Sequence, residues 1–555
     1  MTASKELTFG TLHNVIAGLS PLKSLGLAFV AGVLTIFTFA PFHIWPIYIA
    51  AISLLVWLID GARLQTKWRK AVFLRGWAFG AGFTLSSMHW LVSPFLVQPE
   101  QHIWFIWMPL ILMPAGLGLF FGLGSLLAGL FWSQTAGRIF VFAAMLSVTE
   151  LLRGIVFGGF PWNWPGMIWA PGQPISQIAS LMGLTGLSVI TLFISAAPAA
   201  LADYRPQGGV VGRVLPLFLT VVITGTGWAW GTQRLLTDFD SETLPVRIID
   251  VEIDQSQKYP TDPQGRINET IALREAAAKN ILAAYLEGMG DDFPGEPRLV
   301  VWPESALPVP LLQDPDTLDA VTLQLGGRQL IAGTTRVDQY SGSQPVWYNS
   351  LAVLDERSRL RGARSIYDKH RLVPFGELAA ADFIPFGHAI SAILPGALQQ
   401  QATAGFRPGP RATTLELTDE IKFLPLICYE ALFPGLVRSG VADADLLVNI
   451  SIDSWFGSGI GPEQHYAQAK YRSIETGRPL VRGANLGKSG ANNLYGEEIQ
   501  SNINQVKHGE FTVKVIDSFL PLQIHNTTYS RLGELLTSVA LLLLLLITYF
   551  YRQKA

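Results

Sequence analysis

Long apolar runs separated by short polar breaks occupy the first 235 residues of the chain. A helix that crosses a membrane needs about 20 mostly apolar residues, so these runs predict spanning helices. One further run, LLTSVALLLLLLITYFY, follows a long stretch of globular composition. The pattern therefore predicts a multi-span α-helical membrane bundle. We place its eight spans at 24–41, 44–60, 76–97, 103–132, 138–155, 176–201, 214–231 and 535–551.

The region between the last two spans has a different pattern. Short β-branched or apolar runs, such as VRIIDVEI, RLVVW, FLPLICYE and DLLVNIS, alternate there with helix-like segments near 267–287 and 462–477. This alternation predicts an α/β sandwich. The expected organisation is an N-terminal transmembrane bundle at 1–234, a catalytic domain at 235–533, and a C-terminal transmembrane helix with a short tail at 534–555.

Basic residues fall on one side of the predicted bundle. The loops PFHIWP, QPEQH and 156–175 contain no Lys or Arg, whereas the alternate loops and both ends of the chain contain several. Positive loops are cytoplasmic, so we expect both termini in the cytoplasm and the globular domain outside. The first apolar run lacks a small-residue cleavage site and is expected to stay as a membrane anchor.

The composition indicates that part of the chain faces a membrane and part faces water. The sequence is 49% hydrophobic and 15% charged, against about 25% charged in an average soluble domain. Its single cysteine, Cys428, excludes an intramolecular disulfide and a CxxC metal site. A lone cysteine is most often an inert buried residue. Whether Cys428 is reactive therefore depends on the residues near it.

Two charged residues, Glu150 and Arg153, lie within the fifth predicted span. Residues three apart share a helix face, and charges inside a membrane are costly unless they are paired or functional. We expect a structural ion pair. The loop that follows, GGFPWNWPG, is rich in Trp and Pro, which suits a segment at the membrane interface.

Three polar residues stand at the ends of apolar runs in the globular domain: Glu304 after LVVWP, Lys369 after SIYD, and Cys428 after FLPLI. Each alone is typical of a turn or a surface charge. Together they form a reactive set, because the ammonium of Lys369 and the N-terminus of an expected helix after Cys428 favour a thiolate, and the carboxylate of Glu304 can take up the proton. The ammonium also stabilises an oxyanion. We therefore expect Cys428 to be a nucleophile.

The ordered motifs WPES, DKHRLVPFGE, ICYE and VNISIDSWFG are similar to the Glu-Lys-Cys signature of the nitrilase superfamily, whose members act on carbon–nitrogen bonds through a cysteine thioester. With spans on both sides, and with ELLRG and GGFPW upstream, the chain resembles the membrane-bound branch, the apolipoprotein N-acyltransferase family of the bacterial inner membrane. The resemblance extends over essentially the whole sequence.

This resemblance implies a four-layer αββα domain in the periplasm and a two-step exchange without metal or cofactor. A phospholipid donates an acyl chain to Cys428, and the thioester acylates the α-amino group of the N-terminal S-diacylglyceryl-cysteine of an apolipoprotein. Membrane lipids are the surroundings, and no nucleic-acid partner is implied. The implied roles are Glu304 as base, Lys369 as oxyanion stabiliser, Glu377 as a second carboxylate orienting Lys369, and Tyr429 and Glu430 as pocket residues.

Some positions depart from the family pattern. Tyr259 stands where a Trp is usual, which puts a lipid contact there in question, and Lys488 stands where an apolar residue is usual. Trp455 matches the motif and is a candidate substrate contact. The polar groups of Asn449 and Asp453 also match, with bracing of the active-site loop as the alternative role.

The segment between Asp382 and Arg407 contains no Asp, Glu, Lys or Arg. Its prolines and glycines predict an irregular loop, and apolar loops on a membrane-facing surface mark lipid contacts. We expect a lid that dips into the bilayer, with a buried core segment as the alternative. Its expected anchors are Phe386, Ile390, Ile393 and Leu394.

Three other functions remain open from the sequence. A membrane-tethered amidase of nitrilase type has the same reactive set but hydrolyses its substrate. An N-acyltransferase for another amine differs only in the acceptor. A transporter or binding scaffold built on the spans is the third, although the bundle shows no inverted repeat.

Overall fold

The computed structural model describes residues 9–97, 99–202, 209–237, 242–260, 267–290, 298–338, 345–374, 376–378 and 405–553. The chain divides into two compact units. The first unit comprises Met1–Asp238 and Thr527–Ala555, and the second comprises Phe239–Asn526.

The first unit is built of α-helices with several 3₁₀ segments between them. Within the described ranges its α-helices are α1 Phe9–Ala17, α2 Pro21–Leu34, α3 Trp45–Arg63, α4 Trp68–Ser87, α5 Pro99–His102, α6 Met113–Leu130, α7 Gly137–Arg153, α8 Ala179–Ala196, α9 Gly209–Leu235, α16 Thr528–Leu532 and α17 Leu535–Gln553.

Five helical stretches among the described residues are long and apolar enough to cross a membrane. These are Pro21–Thr38, Trp45–Arg63, Ile103–Leu130, Pro174–Ala202 and Val214–Leu235. They correspond to the first, second, fourth, sixth and seventh predicted spans. The apolar helix Leu535–Tyr551 is shorter, and α7 has 17 residues.

The third predicted span, 76–97, is wrong in its position. The helix α4 runs from Trp68 to Ser87, and a 3₁₀ segment follows at His89–Leu96. Arg69, Lys70 and Arg75 belong to the helix rather than to the loop before it. Lys and Arg are good helix formers and no Gly or Pro precedes them in α4, so the backbone continues through the basic residues.

The predicted ion pair within the fifth span is confirmed. Arg153 Nη2 lies 2.7 Å from Glu150 Oε2, and both side chains are buried. Arg153 Nη1 also donates to the carbonyls of Phe160 at 2.6 Å and Trp162 at 3.0 Å. The pair therefore holds the Trp-rich loop against the end of α7.

The second unit contains two β-sheets. Their strands are β1 Thr243–Glu252, β2 Leu299–Val301, β3 Gln329–Asp338, β4 Val346–Leu354, β5 Ser365–Asp368, β6 Leu415–Glu416, β7 Lys422–Ile427, β8 Leu446–Ile452, β9 Leu480–Asn485, β10 Gly490–Asn492, β11 Ser501–His508 and β12 Phe511–Pro521. The first sheet has the order β11-β12-β1-β2-β3-β4-β5 and the second has the order β10-β9-β8-β7-β6. Parallel pairing joins β1, β2 and β3 in the first sheet and β7, β8 and β9 in the second.

Helices cover the outer faces of these sheets. On the first sheet, Ile281 and Tyr285 of the helix Ile267–Gly288 join a buried cluster with Val251 of β1 and Val513 of β12. The helices of this unit are α10 Gln255–Lys258, α11 Ile267–Gly288, α12 Pro315–Leu323, α13 Ser358–Arg361, α14 Pro434–Gly440 and α15 Ile460–Thr476.

The two sheets pack against each other through close backbone approach. A Cβ on Gly483 of β9 would lie 3.1 Å from Val301 Cγ1 of β2, on the other sheet. With α14 and α15 against the second sheet, the unit has the helix–sheet–sheet–helix layering of the nitrilase-like fold. Three strands, β2, β5 and β7, end one to three residues before Glu304, Lys369 and Cys428.

Candidate active site

Glu304 and Lys369 form a buried ion pair where two strands of the first sheet end. Lys369 Nζ lies 3.2 Å from Glu304 Oε1, with side-chain exposures of 1% and 4%. The same ammonium lies 2.8 Å from the carboxylate of Glu377. Lys369 is therefore held between two carboxylates. Burial lowers the pKa of Lys369, but the charges of Glu304 and Glu377 raise it by more than burial lowers it. The side chain therefore stays an ammonium.

Asn349 links the two carboxylates and was not identified from the sequence. Its Nδ2 donates to Glu304 Oε1 and to Glu377 Oε1, each at 2.6 Å. The other oxygen of Glu304 accepts from the backbone N–H of Ile452 at 2.9 Å. The available signal was a lone amide within the strand sequence VWYNSLAVL of β4.

Cys428 follows the last residue of β7 in an unusual backbone conformation. Its φ is 49°, in the left-handed region that residues other than glycine rarely adopt. The side chain is 8% exposed. A five-residue 3₁₀ turn, Cys428–Leu432, follows it, and α14 begins only at Pro434. The expected helix N-terminus at the sulfur is therefore wrong, because one 3₁₀ turn carries little of a helix dipole.

Burial and nearby charges determine the resting state of the Cys428 thiol. Burial raises the pKa of Cys428, the charge of Glu304 raises it further, and Lys369 offsets only part of this shift. The thiol is consequently protonated at neutral pH. The ammonium of Lys369, which would favour a thiolate, is already balanced by two carboxylates. Reaction at this sulfur requires a base, and Glu304 acts on it electrostatically from within the same cluster.

Glu430 connects the Lys369 segment to the Cys428 segment. Its side chain is completely buried, and burial raises the pKa of its carboxyl. The adjacent Tyr429 packs its ring edge-on against Phe433, with centroids 4.9 Å apart. The donors to Glu430 are Tyr367 Oη at 2.6 Å, the N–H groups of His370 and Arg371 at 3.0 Å each, and the N–H of Ile427 at 2.8 Å.

A second buried network lies behind Cys428. Asp453 accepts from Arg482 Nη2 at 2.8 Å and lies 3.0 Å from His465 Nδ1. Burial opposes ionisation of Asp453, but Arg482 and His465 together lower its pKa to about 2. His465 Nε2 lies 3.3 Å from the carbonyl oxygen of Cys428. Asn449 joins the network through Arg482 and donates to the Leu426 carbonyl at 3.1 Å, so these motif residues brace the loop.

The two expected aromatic contacts lie on turns that are joined by a hydrogen bond. Trp455 is 38% exposed and Tyr259 is 37% exposed. Gln255 Nε2, on the short helix before Tyr259, donates to Ser454 Oγ at 3.1 Å. Both rings are therefore partly exposed, and their contacts with a substrate stay predictions. Lys488, the other departure from the family pattern, is half-exposed and pairs with Glu463 at 2.9 Å.

Lys258 is a further basic residue beside this cluster that the sequence reading missed. Its side chain is buried, and its ammonium donates to the carbonyl of Ser305, the residue after Glu304. Burial lowers the pKa of Lys258 to about 8, and the charge of Glu304 limits that shift. The four expected lid anchors, Phe386, Ile390, Ile393 and Leu394, lie outside the described residues and stay predictions.

Comparison with known proteins places the chain in a family. The model of the apolipoprotein N-acyltransferase N-terminal domain matches residues 31–197, and that of carbon-nitrogen hydrolase matches residues 274–501. An apolipoprotein N-acyltransferase from Brucella melitensis biotype 1 is 34% identical over 511 residues, covering 89% of each chain. Another from Rhizobium leguminosarum bv. trifolii is 35% identical over 490 residues, covering 85% of this chain and 86% of the relative.

A solved structure from the nitrilase superfamily, a mutant of the Nesterenkonia AN1 amidase, is also similar. It is 17% identical with a TM-score of 0.31, covering 52% of this chain and 93% of the amidase. That score supports no conclusion by itself. The two family models and the full-length relatives do: this chain is a membrane protein and acyltransferase that belongs to the apolipoprotein N-acyltransferase family.

Proposed function

We propose that the chain moves a fatty acyl group from a phospholipid, through a thioester on Cys428, to the α-amino group of the N-terminal S-diacylglyceryl-cysteine of apolipoproteins. The relatives named for this activity support the acceptor class. The observation that carries the mechanism is the buried cluster of Glu304, Lys369 and Glu377, whose first two charges act on the sole cysteine.

In the first half-reaction, Glu304 takes the proton from the Cys428 thiol as the sulfur attacks the ester carbonyl of the donor lipid. A base is needed because the thiol is protonated at rest. Lys369 stabilises the oxyanion of the tetrahedral intermediate. The ester C–O bond then breaks, Glu304 returns the proton to the leaving alkoxide, and a lysophospholipid departs.

In the second half-reaction, the free α-amine of the acceptor attacks the thioester. Glu304 takes a proton from the amine, the C–S bond breaks, and the proton passes to the sulfur. The products are an amide and the original thiol, so electrons and protons balance without a cofactor. Glu377 keeps Lys369 in place through both steps, and Tyr429 with Glu430 shapes the pocket.

The proposed topology has eight spans in the bacterial inner membrane, with both termini cytoplasmic and the catalytic unit in the periplasm. The one-sided distribution of Lys and Arg supports it. The helices α4, α7 and α17 supply the three spans beyond the five long apolar stretches. A reporter that is active only outside the cytoplasm should work after residue 240; activity after residue 65 instead contradicts this topology.

Intact-protein mass spectrometry tests the chemistry directly. Incubation with a phospholipid should add one acyl chain to the purified enzyme, on Cys428 and not on its Cys428→Ala variant. Addition of a diacylglyceryl-cysteine peptide should discharge the enzyme and make the peptide heavier by the same acyl mass. Steady release of free fatty acid without any amine would instead identify a hydrolase, and discharge only by an unrelated amine would identify another acceptor.

A further inference from the structure

Three basic side chains line a pocket in the helical unit. The pocket has a volume of about 180 Å³ and lies between the beginning of α2 and the beginning of α4. Since one water occupies about 30 Å³ in the liquid, the pocket has room for a group of several heavy atoms. None of the described residues that line it is acidic. The lining residues are Lys67, Lys70 and Arg75 with Pro21, Leu25, Gln65, Ala71 and Leu74.

Arg75 is the buried member of this set. Only 2% of the residue is exposed, and its Nη1 donates to the carbonyl of Ala71 at 3.1 Å. Its Nε is buried and has no hydrogen-bond partner among the described residues. A buried guanidinium is normally paired with an anion, because an isolated buried charge is strongly disfavoured. Within the part of the chain that the structure describes, Lys67, Lys70 and Arg75 have no acidic partner.

The position of Arg75 in α4 makes the missing counter-charge more significant. Arg75 is the eighth residue of the helix, about 10 Å along the axis from Trp68. From Gly76 to Ser87 the helix has only apolar and small uncharged residues. Arg75 thus stands where the basic first turns meet the apolar remainder, and a charge in a spanning helix is tolerated mainly when it is paired.

We propose that this pocket binds the phosphate of an anionic phospholipid such as phosphatidylglycerol. Lys67 and Lys70 contact the phosphate, and Arg75 supplies the charge beneath it. Pro21 opens α2, whose positive N-terminal end also favours an anion. The apolar wall of Leu25, Ala71 and Leu74 suits the first carbons of lipid chains, which favours a lipid over a free phosphate ion.

Native mass spectrometry of the full-length enzyme in detergent tests the site by titration with phosphatidylglycerol and, separately, zwitterionic phosphatidylcholine. The wild type should bind phosphatidylglycerol at least tenfold more tightly. The double variant Lys67→Gln/Lys70→Gln should lose roughly tenfold or more of that affinity, since each basic residue near a lipid surface contributes substantially. This variant leaves the buried Arg75 untouched, so folding is not at stake.

Arg69→Gln is the matched control. Arg69 is in the first turn of the same helix, stacks over Trp68 at 5.5 Å and does not line the pocket. This variant should keep the wild-type affinity. Equal loss in Arg69→Gln, equal binding of both lipids, or unchanged affinity in the double variant each overturns the proposal. Competition by inorganic phosphate at concentrations comparable to the lipid would show a free-anion site and overturns it as well.

Discussion

Gly333 lies so close to Glu304 that a Cβ at position 333 would be 2.4 Å from the Glu304 Cα. The backbone of β3 also holds the turn that carries this carboxylate. Gly333 donates to the carbonyl of Pro303 at 3.2 Å and accepts from the N–H of Ala306 at 2.9 Å. The proposed base is therefore positioned by backbone contact with a residue whose side chain must be absent.

Gly333→Ala should lower the rate of acyl-enzyme formation by roughly 100-fold, because displacing a reacting group by about 1 Å has an effect of that size. The rate is measured with a fluorescent phospholipid donor. Gly435→Ala is the matched control, since a Cβ there meets no atom within 4 Å. Thermal unfolding of both variants separates displacement from unfolding, and a Gly333→Ala enzyme with wild-type rate would contradict the positioning role.

Asn349→Leu should slow acyl-enzyme formation at least tenfold while leaving the fold intact. The leucine has similar volume but removes the N–H groups that Glu304 and Glu377 share. Lys369 is then the side chain that still lies between the two carboxylates. Without the hydrogen bond from Asn349, Glu304 loses its fixed orientation. Asn504→Leu, on the exposed strand β11, serves as control. Equal rates in the two variants would show that the amide link has no part in the reaction.

Cys428→Ala should abolish acyl-enzyme formation, and Cys428→Ser should be nearly inactive, because an alkoxide is far harder to form than a thiolate. Glu304→Gln should reduce the rate by about 10²- to 10⁴-fold, the usual contribution of a general base. Labelling with a thiol-directed lipid probe and intact mass report these losses. An acyl-enzyme that still forms in Cys428→Ala would refute the thioester mechanism.

Local patterns predicted the parts of the fold that local physics determines. The alternation of apolar runs and helices predicted an α/β sandwich, whose αββα layering the family resemblance implied, and strand ends marked Glu304, Lys369 and Cys428. The position of α4 was missed because basic residues resemble a loop when read for hydropathy alone. Asn349, Lys258 and His465 were missed because their contacts join segments far apart in sequence, which no spacing reveals.

The resting state of the Cys428 thiol depends on burial and on charges that residue types alone do not reveal. Residue types alone suggested an ammonium next to a thiol. The structure buries the sulfur and places two carboxylates on that ammonium, so burial first and then the surrounding charges together, not one neighbour, raise the pKa of Cys428.

Asp250 should make the stability of the catalytic unit depend on pH. It is buried in β1, where desolvation raises its pKa to about 7 despite a hydrogen bond from Asn485. The pKa of an aspartate in the unfolded state is about 3.9. Below about pH 4 Asp250 is therefore protonated in both the folded and the unfolded state, and its burial does not lower the free energy of unfolding through ionisation. As pH rises from 4 to 7 only the unfolded state ionises, so stability falls, and above 7 the loss is complete.

Asp250→Asn keeps the shape of this side chain and removes the charge. The variant should therefore gain stability over the wild type as pH rises, from little difference near pH 4 to about 4 kcal/mol at most at pH 8.5. Denaturation midpoints of the full-length protein in detergent, followed by intrinsic fluorescence from pH 5 to 8.5, measure this difference. Asp443→Asn, at an exposed position, removes the same charge without relieving burial and should show no such trend. A gain for Asp250→Asn that is constant with pH would mean that the acid is ionised in the folded state throughout this range, which contradicts the raised pKa.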